Sequence, residues 1–355
     1  MKRYGNIYEK ICDFENIKEA HRNARKGKTH YGEVKMVDSD PDFYLGQIRD
    51  MLVNKTYNVS KYILKTINDT GKERQLMKLP YFPDRIIQWA VMLQIEHVFT
   101  EVFTNFTCAS IKWRGIHHAT NLLDRYMKED KEGTQYCLKI DIAKFYPNIS
   151  HEILKGLLRR KFKDDELLKL LDKIIDSVGG SHGVPIGSYL SQYLANFYLA
   201  YFDHWLKEDQ GVKYVIRYMD DIVILSDSKE WLHQLKRNID TYLIQNLSLK
   251  LKNNWQIFPT DIRGIDFVGY RHFYDFKLLR KSACKRFKQK MSRIRKKVIK
   301  EQPITYHDFC AVNSYLGWLR WCDSFRLIQK YIEPIRAAII EFYHLKIKRR
   351  KECLA

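Results

Sequence analysis

Three acidic residues in this chain stand where carboxylates are unfavourable unless a cation accompanies them. Asp220 and Asp221 follow Tyr218-Met219 inside a stretch that is otherwise apolar. Before them, Lys213-Tyr-Val-Ile-Arg-Tyr218 alternates and is rich in β-branched and aromatic residues. After them, Ile222-Val-Ile-Leu225 is a second apolar run, ending in Ser226-Asp227. Two strand-like runs around a short polar connection predict a β-hairpin with both acids at its turn. Adjacent carboxylates between buried strands repel one another and lose hydration, and a divalent cation offsets both. Mg²⁺ is typically held by one or two carboxylates together with substrate phosphates. Solvated turn acids are the ordinary reading of an Asp-Asp pair, but they leave the buried flanks unexplained.

The third acid ends another strand-like run. In Gln135-Tyr-Cys-Leu-Lys-Ile-Asp141, Tyr136, Leu138 and Ile140 share one face, and Cys137, Lys139 and Asp141 the other. Pro147 closes the segment shortly afterwards. An acid at a strand end and two in a neighbouring turn can hold two metal ions ~4 Å apart for in-line phosphoryl transfer.

Several elements must position these acids. Lys55 to Lys78 reads as short strands turning at Asn68-Asp-Thr-Gly71. Pro83-Asp84 predicts a helix start with Asp84 as N-cap, followed by an amphipathic stripe of Ile87, Val91, Ile95, Val98 and Val102. Ser150 to Ile175 is expected to be helical, and a long helix is expected from Ser188 through Leu190, Leu194, Phe197, Tyr201 and Trp205. From 136 the order reads strand, helix, helix, hairpin, then strand-like runs to Gly269. That order implies an α+β fold whose sheet has helices on one face and carboxylates on the other.

Beyond Tyr270 the composition changes. Residues 280–300 contain eleven Lys or Arg and no acid, while Phe287, Met291, Ile294 and Val298 keep helical spacing. The basic remainder is either a solvated face or a track for a phosphate backbone. Thr305-x-x-Asp308 predicts a capping box for a following helix with Phe309, Val312, Leu316 and Leu319.

With 355 residues, two or three subdomains are expected. A net charge of +20 makes a polyanion the default partner, nucleic acid first. Seven cysteines without a C-x-x-C pair argue against a disulfide framework or zinc site. No N-terminal apolar leader and no 18-residue apolar run is present, so a cytoplasmic location without membrane contact is expected.

In this order, the Asp141 block, the Gly187 block, the Tyr218-Met-Asp-Asp221 hairpin and Phe267-Val-Gly-Tyr270 resemble the palm motifs of a reverse transcriptase. Pro83-Asp-Arg-Ile-Ile-Gln88 and Trp113-Arg-Gly-Ile116 resemble its fingers motifs in bacterial group II intron and retron relatives. The resemblance spans roughly residues 60–330 and implies a right-hand polymerase. Its divisions would be an N-terminal extension (1–55), fingers (56–135), palm (136–275, with a helical insertion at 151–182), thumb (276–345) and basic tail (346–355).

The same resemblance implies roles. Asp141 and Asp220 are the implied principal ligands of two Mg²⁺ ions (or Mn²⁺ in their place), Asp221 supports them, and the Ile142 carbonyl completes a metal shell. Tyr146, five residues after Asp141, falls at the steric gate that excludes a 2′-hydroxyl, the group that distinguishes RNA from DNA; a core aromatic is the alternative. Arg74 and Lys78 are implied triphosphate contacts, with Lys72 equally available, and Ile186 and Gly187 border the nucleotide. Phe267, Val268, Gly269 and Tyr270 are the implied primer grip, and Arg114, Gln192, Met219, Lys285, Lys288 and Arg293 further primer or template contacts.

One departure narrows the resemblance. Most reverse transcriptases carry Gln-Gly-x-x-x-Ser-Pro where this chain has Ile186-Gly187-Ser-Tyr-Leu-Ser191-Gln192. An aliphatic residue for the first Gln, and Gln for the Pro, is the pattern of diversity-generating retroelement enzymes. These copy a template-repeat RNA into cDNA with errors opposite adenine. Ile186 makes no hydrogen bond to an incoming nucleotide, and unmade polar contacts weaken discrimination. The implied partners are template RNA, dNTPs, the RNA–DNA hybrid and a small basic, oligomeric accessory variability protein. The alternatives are a retron or defence-associated relative, untemplated or protein-primed, and, in another class, an inactive RNA-binding scaffold.

Overall fold

Alternating residues between Lys55 and Lys78 pair as expected. β1 (Ile63–Asp69) and β2 (Lys72–Lys78) form an antiparallel ladder running from Ile63 opposite Lys78 to Asp69 opposite Lys72. The computed structural model describes residues 2–69, 72–185 and 188–352, with side chains throughout except at 67–69, 72, 74, 75 and 345–352. Thr70-Gly71 of the expected turn lies outside the described residues.

A second sheet carries the acids. β3 (Tyr136–Asp141), β4 (Tyr214–Tyr218), β5 (Asp221–Ser226) and β6 (Gln256–Pro259) lie in the order β4-β5-β3-β6. β4 and β5 are joined by two residues, and strands so joined pair only antiparallel. Tyr214–Arg217 and Ile222–Leu225 are buried, the burial the apolar flanks implied. β7 (Ile265–Phe267), β8 (Tyr270–His272) and β9 (Lys277–Leu279) form a separate antiparallel sheet in that order.

The chain divides into two compact units. The first gathers Met1–Gly115, Lys139–Ile224 and Glu230–Gln256, and the second Ile116–Leu138, Leu225–Lys229 and Ile257–Ala355. In the first, the Ile86–Thr100 helix is buried almost all round rather than along one stripe, because Ile86, Gln88, Ala90, Met92 and Phe99 are covered too. Asp84 does not cap it. Its carboxylate is buried and accepts from the Tyr57 hydroxyl at 2.7 Å and the Ser60 amide at 3.0 Å. A neighbouring hydroxyl and amide outcompeted the helix end for that carboxylate.

Two expected single helices are each two. The 150–175 stretch is His151–Lys161, capped by Ser150, and Asp165–Asp176, capped by Asp164. The stretch after Ser188 is Tyr189–Tyr198 followed by Ala200–Glu208, with Leu199 between them. The expected strand-like run after the hairpin instead begins with the Lys229–Leu247 helix, which buries Leu232, Leu235, Ile239, Leu243 and Leu247. Their three- and four-residue spacing is helical.

In the second unit, Phe287, Met291 and Ile294 of the Lys281–Ile299 helix pack with Tyr270, Val312, Leu319 and Ile335. Burying each such side chain contributes roughly 1.5–3 kcal/mol. The Thr305–Asp308 capping box forms as expected and starts the Tyr306–Leu319 helix. Among the described residues all six cysteines are free, and no helix is long and apolar enough to cross a membrane.

Candidate active site at the Met219-Asp220 turn

The hairpin turn is Met219-Asp220, and Met219 has φ +56°. Primed two-residue turns require positive φ at their first central residue, because only then does the turn match strand twist. A methionine held there is strained relative to glycine, so the surroundings must hold it.

What holds it is Arg217, the one large cation fully buried in β4. Its guanidinium grips Asp203 through Nε–Oδ1 at 2.7 Å and Nη2–Oδ2 at 2.6 Å. Nη1 donates to the Asn196 side-chain oxygen and to the Met219 carbonyl, both at 3.1 Å. Thr107 donates to Asp203 at 2.7 Å, and Asn196 to the Ala109 carbonyl at 2.8 Å. Backbone bonds Arg217 N to Phe106 O and Cys108 N to Arg217 O, both 2.9 Å, fasten the same loop to β4. A buried charge is tolerated when paired and fully hydrogen-bonded. Arg217, Asp203 and Asn196 were missed from sequence, where an Arg inside a strand reads as a solvent-facing residue.

Asp141 arrives beside this turn. The Ile142 amide donates to the Asp220 carbonyl at 3.2 Å, and the Lys252 amide to the Asp141 carbonyl at 2.8 Å. The Asp220 carboxyl lies within hydrogen-bonding reach of Asp141. Burial, and then the Asp141 charge, push the Asp220 pKa up to about 6. Lys252 Nζ bonds Asp141 Oδ1, and Lys139 Nζ stands 3.7 Å from Asp221 Oδ2. The structure therefore brings Asp141 and Asp220 together and turns Asp221 towards Lys139. Among the described residues, no trio of His, Cys, Asp or Glu is gathered tightly enough to hold a metal by itself. Two facing carboxylates that resist joint ionisation are nonetheless a donor set suited to a divalent cation, with further ligands from substrate phosphates. Lys252, unnoticed in the sequence, neutralises part of that charge.

Tyr146 belongs to the same site. It follows Lys144, which has φ +45°, and its hydroxyl reaches the Met219 sulfur at 3.6 Å. Burial, then Asp220 and Tyr218, push its pKa up to about 12, so the ring stays neutral. Lys78 and Gln192 line one cavity together, with Lys78 Nζ 5.3 Å from the Tyr31 ring centre. Arg114 Nη1 donates to the Thr104 and Thr107 carbonyls at 2.6 and 3.4 Å, bracing the loop that Arg217 also holds. The Arg74 side chain, Ile186 and Gly187 lie outside the described residues.

In the second unit, Val268 and Gly269 form the turn between β7 and β8, with φ +39° and +95°. A Cβ on Gly269 would collide with the Trp318 ring, so glycine is required for close packing as well as for the turn. Tyr270 donates to the Trp318 carbonyl at 3.0 Å, and Phe267 and Tyr270 are fully buried. Lys285, Lys288 and Arg293 are exposed on the Lys281–Ile299 helix. Three of the eleven cations of residues 280–300 are paired with acids outside that stretch: Lys290 and Lys297 with Asp308 at 2.9 and 2.6 Å, and Arg280 with Asp266 at 2.6 Å. Burial raises the Asp308 pKa, but bonds from Lys297, Lys290 and Thr305 outweigh it and hold the carboxyl well below the usual range.

The chain is similar to several known proteins. Protein YkfC of Escherichia coli K12 is 26% identical over 198 residues, covering 53% of this chain and 47% of its own length. The group II intron-encoded protein LtrA of Lactococcus lactis subsp. cremoris is 28% identical over 144 residues, 38% of this chain and 23% of its own. The chain thus spans less than half the length of these curated relatives. The solved structure of apo telomerase from Candida tropicalis shares the fold, with a TM-score of 0.51 at 12% identity over 82% of this chain and 59% of that one. With the family profile of reverse transcriptases (RNA-dependent DNA polymerases) matching residues 63–271, well over half of its length, the chain belongs to that family.

Proposed function

We propose that the chain is an RNA-directed DNA polymerase of the diversity-generating kind, making error-prone cDNA from a template-repeat RNA. The observation that carries the polymerase reading is the meeting of Asp141, at the end of β3, with Asp220, at the β4–β5 turn.

Asp141 and Asp220 would hold divalent metal, Mg²⁺ in this reading, with Asp221 in support and the Ile142 carbonyl beside them. When bound, the metal lowers the pKa of the attacking primer hydroxyl and stabilises the leaving oxygen. The chain's own work is positional. Arg217 and Asp203 fix the Met219-Asp220 turn, so Asp220 meets Asp141 without reorganising. Tyr146 presents a neutral ring against the sugar and excludes a 2′-hydroxyl. Lys78 with Arg74 would carry triphosphate charge, and the Phe267–Tyr270 turn would grip the primer. In these terms residues 56–135 act as fingers, 136–275 as palm and 276–345 as thumb.

The diversity-generating assignment rests on Ile186 and Gln192 at the ends of one short segment. An aliphatic side chain at 186 withholds a hydrogen bond that would check the nascent pair, and selectivity falls when such contacts are unmade. A basic accessory variability protein is the implied partner.

Primer extension on a defined RNA, with Mg²⁺, by wild type and Asp220→Asn tests the polymerase reading. Wild type should extend the primer and the variant should lose activity by on the order of a hundredfold or more. Equal activity of the two would overturn it. Sequencing the product tests the finer assignment: errors should concentrate opposite adenine, and evenly spread errors would remove it.

A further inference from the structure

Tyr146 is carried by a helix of four residues, Phe145–Asn148. So short a helix does not hold itself, because its first turn fixes several dihedrals for one hydrogen bond. The hold comes from a second segment of the first unit. Residues 146–151 run antiparallel to 181–184, with Ser150 opposite His182. Val184 N donates to the Tyr146 carbonyl at 3.1 Å, Gly183 N to the Ile149 carbonyl at 2.8 Å and His151 N to the Ser181 carbonyl at 3.0 Å. Ser150 N also donates to the Tyr198 hydroxyl at 3.3 Å, which itself donates to the Leu247 carbonyl at 2.6 Å.

The 181–184 segment brings little order of its own. It follows Gly179-Gly180, at φ +82° and +69°, a permissive connection, and Pro185 after it has no amide proton to donate. A side chain closes the pairing instead. His151 Nε2 lies 2.7 Å from the Gly183 carbonyl. A carbonyl only accepts, so Nε2 is the donor. The ring is 4% exposed, and Nδ1 stands 3.3 Å from Asp176 Oδ1 without closing a hydrogen bond. Asp176 is fixed in turn by Lys155, whose Nζ is 2.6 Å from both carboxylate oxygens. The imidazole therefore sits between the His151–Lys161 helix and the end of the Asp165–Asp176 helix, and its donor is directed at the segment that holds Tyr146.

We propose that His151 is a positioning residue for sugar selection. Through the Gly183 carbonyl it fixes the 181–184 segment, and through that segment the place of the Tyr146 ring. The meaning for substrate rests on the polymerase reading and on Tyr146 as the steric gate; the clamp itself does not. A histidine that served only the core would change stability and leave selectivity alone.

The test compares full-length wild type, His151→Leu and His151→Gln by the ratio of kcat/KM for dNTP and rNTP. That ratio is independent of the folded fraction, because unfolding removes both activities equally. His151→Leu should lower it about tenfold, within the loss that a misplacement of about 1 Å causes. His151→Gln, which keeps an N–H donor for Gly183, should restore most of it. Adding His151→Leu to Tyr146→Ala should lower the ratio no further, because residues that act through one another are not additive. An unchanged ratio in His151→Leu, beside a lowered one in Tyr146→Ala, would overturn the proposal. So would a His151→Leu effect that adds in full to that of Tyr146→Ala. Hydrogen exchange, read without metal or nucleotide, tests the clamp separately. Peptides covering 146–151 and 181–184 should exchange about tenfold faster in His151→Leu, and those of the β4–β5 hairpin should not. Unchanged exchange removes the clamp whatever the polymerase does. Faster exchange in a protein whose wild type extends no primer leaves the clamp standing and sinks the polymerase reading instead.

Discussion

Arg217 Nη1 donates to the carbonyl of Met219 at 3.1 Å, so the buried ion pair with Asp203 is tied directly to the turn that carries Asp220. The strained φ of Met219 is thereby held from behind by a side chain that is fully buried. Arg217 is a positioning residue. Arg217→Met leaves Asp203 buried and unpaired, and is expected to lower stability by about 3–5 kcal/mol. Arg217→Met with Asp203→Leu should regain much of that stability, because neither charge is left alone, yet stay deficient in kcat with KM little changed. Denaturant melts and steady-state primer extension, both read below the melting transition, check this; full recovery of kcat in the double variant would refute the anchoring role.

Tyr146 lies at the turn through its contact with Met219, and its neutral ring brings no charge near a sugar. Tyr146→Ala should reduce discrimination against ribonucleotides by roughly ten- to a hundredfold, while Tyr146→Phe should keep most of it. The ratio of kcat/KM for dNTP and rNTP is the readout, and an unchanged ratio in the alanine variant would return Tyr146 to the core.

The basic helix makes a salt-dependence prediction that distinguishes its lysines. Lys285, Lys288 and Arg293 are exposed, whereas Lys290 and Lys297 are taken up by Asp308. Changing the first three to Ala should reduce the slope of log K against log salt for RNA by about 2–3, because each phosphate contact releases counterion. Lys290→Ala should change the slope little and cost helix packing instead. Binding titrations across salt concentrations measure both; equal slopes for wild type and the triple variant would remove the helix from the nucleic-acid surface.

His272 supplies the pH dependence. It is fully buried on β8, its Nδ1 bonds Asp124 at 2.6 Å, and Asp124 also accepts from Lys277 at 2.7 Å. Burial lowers the His272 pKa from 6.5, more than Asp124 raises it. The folded state therefore favours neutral imidazole. Its stability contribution is complete above about pH 6.5 and shrinks as pH falls below that value. Asp124 is also lowered, from 3.8: burial raises it, but the bonds from His272 and Lys277 outweigh burial. Its contribution is complete above 3.8 and is lost at more acid pH. Thermal melts of wild type should show stability declining below about pH 6.5, and His272→Gln should flatten that decline. A variant with the same pH profile as wild type would rule out His272 as its source.

Where local pattern and function coincide, the chain is legible without a structure. The Tyr214–Ser226 hairpin, the β1–β2 ladder and the Thr305–Asp308 cap each depend on residues a few positions apart, so alternation and capping chemistry determine them. The family likewise follows from short motifs in a fixed order. Longer-range competition was invisible: Asp84 reads as a helix cap until Tyr57 and Ser60, some 25 residues earlier, are found bonded to it. The Lys229–Leu247 helix was passed over because its apolar spacing is diluted by Asn, Thr and Gln.

The sequence by itself determined which residue types could do the chemistry: three acids, a tyrosine after a strand, and a chain of high positive charge. Only the tertiary structure decided their grouping. It set Asp141 against Asp220, turned Asp221 to Lys139, buried Arg217 behind the turn and gave Lys290 and Lys297 to Asp308. The physical reason is that a charge inside a protein is governed by whichever counter-charge or hydrogen-bond partner folding brings within a few ångströms. Separation along the chain says nothing about that distance.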